Sequence, residues 1–190
     1  MKKLNMRIKY FKGATKLKKI TKGNWIDVYS NKDMFISVGE RAMIPLGFAL
    51  ELPQGWEGHL APRSSTFKTW GIIQTNSVGV VDDTFIGNDD QWHFPAYCLT
   101  GKDEYDSPER IEEIFREAYD VLTREEHDKY VLYINPKTKD THKVQKGTWI
   151  HKGDKIGQFR VMEVMPEIEF EEVESLENEN RGGFGSTGTK

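Results

Sequence analysis

At 190 residues, with 37% hydrophobic and 12% aromatic residues, the chain can build one domain with a core of its own and is short for two. Its net charge of −3 supplies no general drive towards nucleic acid or membranes, and its longest near-apolar stretch, Met43 to Leu50, is interrupted by Pro45 and Gly47 and is far too short to span a bilayer. Cys98 is the single cysteine, which excludes an internal disulfide and fits a reducing cytoplasm.

In chain order, the start is basic: residues 1–22 carry nine Lys/Arg and no acid, while residues 163–179 carry eight Glu and no base. A solvated edge strand, partly neutralised by the acidic stretch, accounts for the basic start better than a nucleic-acid-binding arm does. No apolar run follows it, so an export signal is not expected. Short β-type patterns then dominate: 6–11, 26–30, 34–38, 47–52, 58–62, 92–99, 148–153 and 155–165, punctuated by Gly, Asn, Asp and Pro. Such a series predicts an all-β sandwich or jelly roll. One segment departs from it. After Ser107 and Pro108, a suitable N-cap and first helical position, Ile111, Ile114, Phe115, Ala118 and Leu122 recur at helical spacing. A hairpin over 129–145, turning at Asn135-Pro136, is expected next. Residues 101–147 thus read as an insertion into a β framework.

The chemistry-bearing residues are dispersed. Arg63-Ser64-Ser65 sets a forked cation beside two hydroxyls, a sensible phosphate grip, although taken alone a polar turn with a surface arginine is the commoner reading. Asp82-Asp83, after Val80-Val81, is either turn chemistry or a carboxylate held as a general base. His59, His93, His127, His142 and His151 have no metal-ligand spacing and read as structural or surface residues. The end of the chain, RGGFGSTG over 181–188, combines an entropically costly glycine run with one arginine, one phenylalanine and two hydroxyls.

Taken in order, five stretches resemble the motifs of the trimeric deoxyuridine triphosphate nucleotidohydrolases, the dUTPases. They are NWIDVYS with Asp27, APRSS, NSVGVVDDTFIGN, GDKIGQF and RGGFGSTG. The resemblance covers residues of about 20–100 and 148–188 and leaves the insertion outside. The first motif lacks the Gly-Tyr pair usual before its aspartate, and Lys155 stands where arginine is commoner. In the last motif, two residues fewer than usual separate arginine from phenylalanine.

The resemblance implies a jelly-roll (β-clip) domain over 1–176, a flexible arm over 177–190, and a homotrimer with shared active sites. It implies hydrolysis of dUTP to dUMP and pyrophosphate, supplying dUMP for dTTP synthesis and limiting uracil in DNA. Asp82 would activate the attacking water, Asp27 would help hold the site together, and Arg63 would stabilise developing charge. Ser64, Ser65, Gln158, Arg181, Ser186 and Thr187 would meet phosphate oxygens. A hairpin over Asn76 to Asp82, including Gly79 and Val81, would read uracil through its backbone, with Phe85 against the deoxyribose. Phe184 would stack on the base, with Gly185 letting the arm bend. Mg²⁺ would be held mainly by substrate phosphates and water, with no dedicated protein cage. A cytoplasmic enzyme with no nucleic-acid or membrane partner is expected. Two alternatives stay open: a dCTP deaminase, which shares the arginine-serine-serine motif, and a phage-type dUTPase that also binds a repressor, for which the insertion is the natural surface.

Overall fold

The computed structural model describes residues 4–18, 23–104, 130–134 and 141–180. Among them run thirteen strands and one short helix. The strands are β1 (Arg7–Tyr10), β2 (Ile26–Val28), β3 (Met34–Ser37), β4 (Arg41–Pro45), β5 (Phe48–Glu51), β6 (Trp56–Pro62) and β7 (Ile72–Gln74). They continue as β8 (Gly79–Val81), β9 (His93–Cys98), β10 (Asp103–Glu104), β11 (Tyr130–Ile134), β12 (Thr141–Ile150) and β13 (Gly157–Glu163). The helix, α1 (Thr66–Trp70), follows β6 directly. No helix among the described residues is long and apolar enough to cross a membrane.

Two of the sheets among the described residues carry the site, and β3, β5 and β12 from the others also feed the core. One has the order β2-β13-β6-β8, the other β4-β9-β7. Alternation decides what each strand buries. In β9, Phe94, Ala96 and Cys98 point inward; in β13, Gly157 and Phe159 do, leaving Gln158 and Arg160 on the outer face. The sheets meet where glycine leaves room for a ring. A Cβ on Gly157 would lie 3.0 Å from the Phe94 ring, and one on Gly58 would lie 2.3 Å from that of Trp92. Trp92, Phe48 and Phe159 form the centre, with ring centroids 5.3–6.0 Å apart. Such tilted and edge-on contacts suit aromatic quadrupoles. The Trp92 backbone ties this cluster to the framework, its N–H donating to Phe48 O and its carbonyl accepting from Leu46 N–H, both at 2.9 Å. Cys98 is fully buried, and that burial pushes its thiol up to about 11.

The all-β expectation holds, with instructive differences in detail. β12 is longer than the expected strand at 148–153 and ends at Ile150. It stops there because His151 N–H donates to Asp154 Oδ2 and Asp154 N–H to His151 O, closing a turn. Its first half pairs with β11 as the expected hairpin, Tyr130 opposite Gln145 and Ile134 opposite Thr141. Its second half pairs with β3, Gly147 opposite Ser37 and Ile150 opposite Met34. The two ends of the insertion are therefore neighbours. Asp103 sits opposite Gly147, and a Cβ on Gly101 would meet Gly147 N at 2.5 Å. The expected helix after Pro108 and the turn at Asn135-Pro136 lie outside the described residues.

The hairpin expected over Asn76 to Asp82 is not a ladder between its own flanks. β7 pairs with β9 and β8 with β6, so residues 75–78 cross between the two sheets. Gln74 explains the crossing: its Nε2 donates to Leu60 O at 3.0 Å and to Asn76 Oδ1 at 2.8 Å, pinning the end of β7 to β6. The Trp92 contact gives a direct test of the packing. Gly58→Ala should lower stability by about 1–3 kcal/mol through overpacking. The change would appear as a lower midpoint in chemical denaturation at fixed protein concentration.

Candidate active site

β13 lies between β2 and β6, and that placement assembles the first cluster. Gln158 is opposite Asp27 on one side and opposite Ala61 on the other. Asp27, Arg63, Ser64 and Gln158, with Gly23, Asn24 and Trp25, line a pocket of about 330 Å³. Asp27 accepts from two cations, Arg63 Nε at 2.9 Å and Lys155 Nζ at 3.2 Å. Its side chain is only 16% exposed, so the paired positive charge is what keeps a carboxylate tolerable there. The Arg63 contact uses one of five guanidinium N–H donors. Gln158 Nε2 donates to Pro62 O at 3.2 Å, fixing the amide beside the arginine.

The turn carrying Arg63 is held from below. Thr66 is fully buried; its hydroxyl donates to Ile156 O and accepts from Arg63 N–H, both at 2.9 Å. One side chain thus fastens the start of α1 to the strand bearing Gln158. Ser65 is the N-cap residue of α1, and Ser64 is exposed at the pocket. Ser64 and Arg63 can therefore reach an anion while the loop beneath them is rigid.

The second cluster lies at the other end of β6. Asp82 follows β8, whose Val81 is opposite Gly58, whereas Arg63 follows Pro62 at the far end of β6. Six residue steps between these levels correspond to about 20 Å along a strand. Within one chain, Asp82 and Arg63 are apart. Asp82 is exposed, and Thr84 donates to its Oδ1 through both the hydroxyl and the backbone N–H, the latter at 3.1 Å. Those bonds, the hydroxyl one foremost, hold the Asp82 carboxyl below the usual aspartate range. Asp83 is differently occupied: its Oδ2 accepts from Gly55 N–H at 2.8 Å, bracing the turn before β6. Between the clusters, Gly79 is buried where a Cβ would sit 3.4 Å from Leu60 Cβ, Val81 is half-buried, Asn76 is exposed, and Phe85 is 40% exposed. Arg181, Phe184, Gly185, Ser186 and Thr187 lie outside the described residues.

Lys155, Trp25, Thr66 and Thr84 were not among the expected site residues. Thr84 had a signal, since an aspartate two residues before a threonine forms a local Asx turn. Trp25 also had one, two residues before Asp27 and so on the same face of an extended chain.

The chain resembles known proteins in sequence and in fold. The dUTPase family profile matches residues 23–102. The SPbeta prophage-derived deoxyuridine 5'-triphosphate nucleotidohydrolase YosS of Bacillus subtilis (strain 168) is 37% identical over 188 residues, covering 98% of this chain and 100% of that protein. The chain belongs to the dUTPase family. The dUTPase of Staphylococcus bacteriophage 80alpha, as a point mutant with dUpNHpp, superposes with a TM-score of 0.64 at 18% identity, over 97% of this chain and 98% of that one. Other solved forms of that phage dUTPase are described as controlling transfer of virulence genes. A point mutant of the dUTPase from phage phi11 of S. aureus, described with a structural Mg(II) ion, gives 0.59 at 15% identity, over 92% and 100%. The architecture described above is the jelly-roll dUTPase fold.

The Asp82 turn yields a measurable expectation. The Thr84 bonds favour the ionised carboxylate, so losing one must raise its pKa. In Thr84→Val the Asp82 carboxyl should protonate at higher pH than in the wild type while remaining ionised at neutrality. Carbon-detected NMR titration of the Asp82 carboxyl would read the shift; an unchanged titration would show that the hydroxyl contributes nothing.

Proposed function

We propose that this dUTPase hydrolyses dUTP to dUMP and pyrophosphate at a site assembled from more than one chain. The full-length relative carries the nucleotidohydrolase name, which favours hydrolysis over the deaminase alternative. The observation that carries the shared-site reading is the separation of Asp82 from Arg63 within one chain, about 20 Å by strand geometry. A second copy must bring its Asp82 to the first copy's pocket. A homotrimer is the assembly that fits this reading, with residues 177–190 of a further copy as the closing arm.

In the assembled site, Arg63, Ser64, Ser65 and Gln158 hold the triphosphate oxygens, and Asp27 keeps Arg63 and Lys155 in register. Asp82 is ionised at neutral pH and exposed, as a base must be to reach a water molecule. It takes a proton as the water oxygen bonds to the α-phosphorus, and the bond from that phosphorus to the bridging oxygen breaks, releasing pyrophosphate. Asp27 serves as a positioning residue, since its oxygens are engaged by Arg63 and Lys155. The site's donors are carboxylate, hydroxyl and amide oxygens, the hard ligands that Mg²⁺ takes while retaining waters. Mg²⁺ bound on the phosphates would supply charge neutralisation to the leaving pyrophosphate.

Uracil is read by the backbone between Asn76 and Val81, where Gly79 has no side chain to hold a ligand away from the main chain. Phe85 lies against the deoxyribose. Arg181, Ser186 and Thr187 of the arm meet the phosphates, and Phe184 covers the base, with Gly185 permitting the bend. A regulatory partner is the second reading. The insertion favours it, because β11 and the first half of β12 pair with each other as a separate hairpin.

Two experiments test these roles. Pyrophosphate release across dUTP, dTTP, dCTP and UTP should strongly favour dUTP, since the methyl of thymine has no space; comparable dTTP turnover would refute backbone readout. Asp82→Asn should bind dUTP almost normally while kcat falls by roughly 10²–10⁴-fold. Co-refolding this variant with an Asp82-intact chain truncated after Glu179 should restore activity that neither parent has. A silent mixture, with hybrid trimers verified by native mass spectrometry, would refute the division of base and arm between chains.

A further inference from the structure

Beyond the five motif stretches, β13 carries a further cation near the pocket. Arg160 follows Gln158 by two residues and shares its outward face, about 6.6 Å further along the strand. On the adjoining strand, Ile26 is opposite Phe159 and Asp27 opposite Gln158, which sets Trp25 beside Arg160. The Arg160 guanidinium carbon lies 5.7 Å from the centroid of the Trp25 ring, within the range of a cation–π contact. Trp25 itself lines the pocket with Asp27, Arg63 and Gln158. The ring therefore touches both the pocket and Arg160 and places the cation near the pocket's rim.

Charge balance gives that placement a purpose. Arg63, which lines the pocket, and Lys155 both pair with Asp27, so these two cations share one carboxylate. Arg160 has no carboxylate within ion-pair distance among the described residues. An exposed arginine held beside an aromatic ring keeps N–H groups free to meet a phosphate. We propose that Arg160, oriented by Trp25, is an additional phosphate ligand, contacting the terminal phosphates of the substrate and not the α-phosphate at which hydrolysis occurs. This rests on the triphosphate pocket proposed above and extends it to the end of the substrate chain that a nucleoside monophosphate lacks.

The test uses the full-length protein and three probes: dUpNHpp, dUMP and inorganic tripolyphosphate, titrated calorimetrically. Arg160→Gln should weaken dUpNHpp and tripolyphosphate by about tenfold or more, the yield of one charge-assisted hydrogen bond. It should leave dUMP within about twofold of the wild type, since its lone phosphate does not reach Arg160. Arg160→Lys should recover part of the loss, and Trp25→Leu should reproduce a smaller version of the same triphosphate-selective defect. Equal weakening of dUMP and dUpNHpp would assign Arg160 a structural role and overturn the proposal, as would unchanged binding of all three probes. The two readings fail separately. Tripolyphosphate binding that depends on Arg160 in a protein indifferent to dUTP would keep the phosphate ligand and remove the substrate. Efficient dUTP hydrolysis with Arg160→Gln indistinguishable in binding would do the reverse.

Discussion

A half-buried carboxylate between two cations draws together segments that are far apart in the chain. Asp27 comes from β2, Arg63 from the turn after β6 and Lys155 from the approach to β13; without the aspartate, two positive side chains would face each other across the pocket. The pairing is possible only because β13 runs between β2 and β6 in one register. A slip of a single residue would turn Gln158 into the core and Phe159 outward. Packing forbids that slip. Phe159 is locked against Trp92 and Phe48, and Gly157 is fitted against Phe94. The aromatic centre of the sandwich thus sets the electrostatics of its surface.

The same strand geometry that brings three segments together keeps Asp82 away. β6 is long enough to hold the Arg63 turn at one end and the Asp82 turn near the other. Each half is rigid by itself. Thr66 anchors the first through Ile156, and the Thr84 and Asp83 bonds organise the second. In the shared-site reading proposed above, such a chain would hold both groups ready and be completed by a second copy.

Much of the fold was legible in the sequence because alternation is a local signal. β9 and β13 repeat buried and exposed residues with period two, and both were anticipated. The helix α1 was not, since five residues make little more than one turn and show no periodicity. The β7–β8 region was expected to be a hairpin from the family resemblance, whereas its pairing is decided by distant partners, β9 and β6. The site divides in the same way. The motif residues were readable as text, including the base candidate Asp82. The clamp of Lys155 on Asp27 and the Trp25–Arg160 contact depend on strand register, which no single stretch of sequence states.

The adjacency of Gly101 and Gly147 bears on how this scaffold tolerates change. Paired ends mean that the framework meets the intervening chain as an already closed loop. Lengthening such a loop costs little, about 0.6 kcal/mol per doubling, and leaves the pairing of β12 with β3 untouched. The sheet therefore contains a socket at which the intervening segment can be exchanged, trimmed to a tight turn or replaced by a reporter module, while the strands that carry Asp27, Arg63 and Gln158 keep their places.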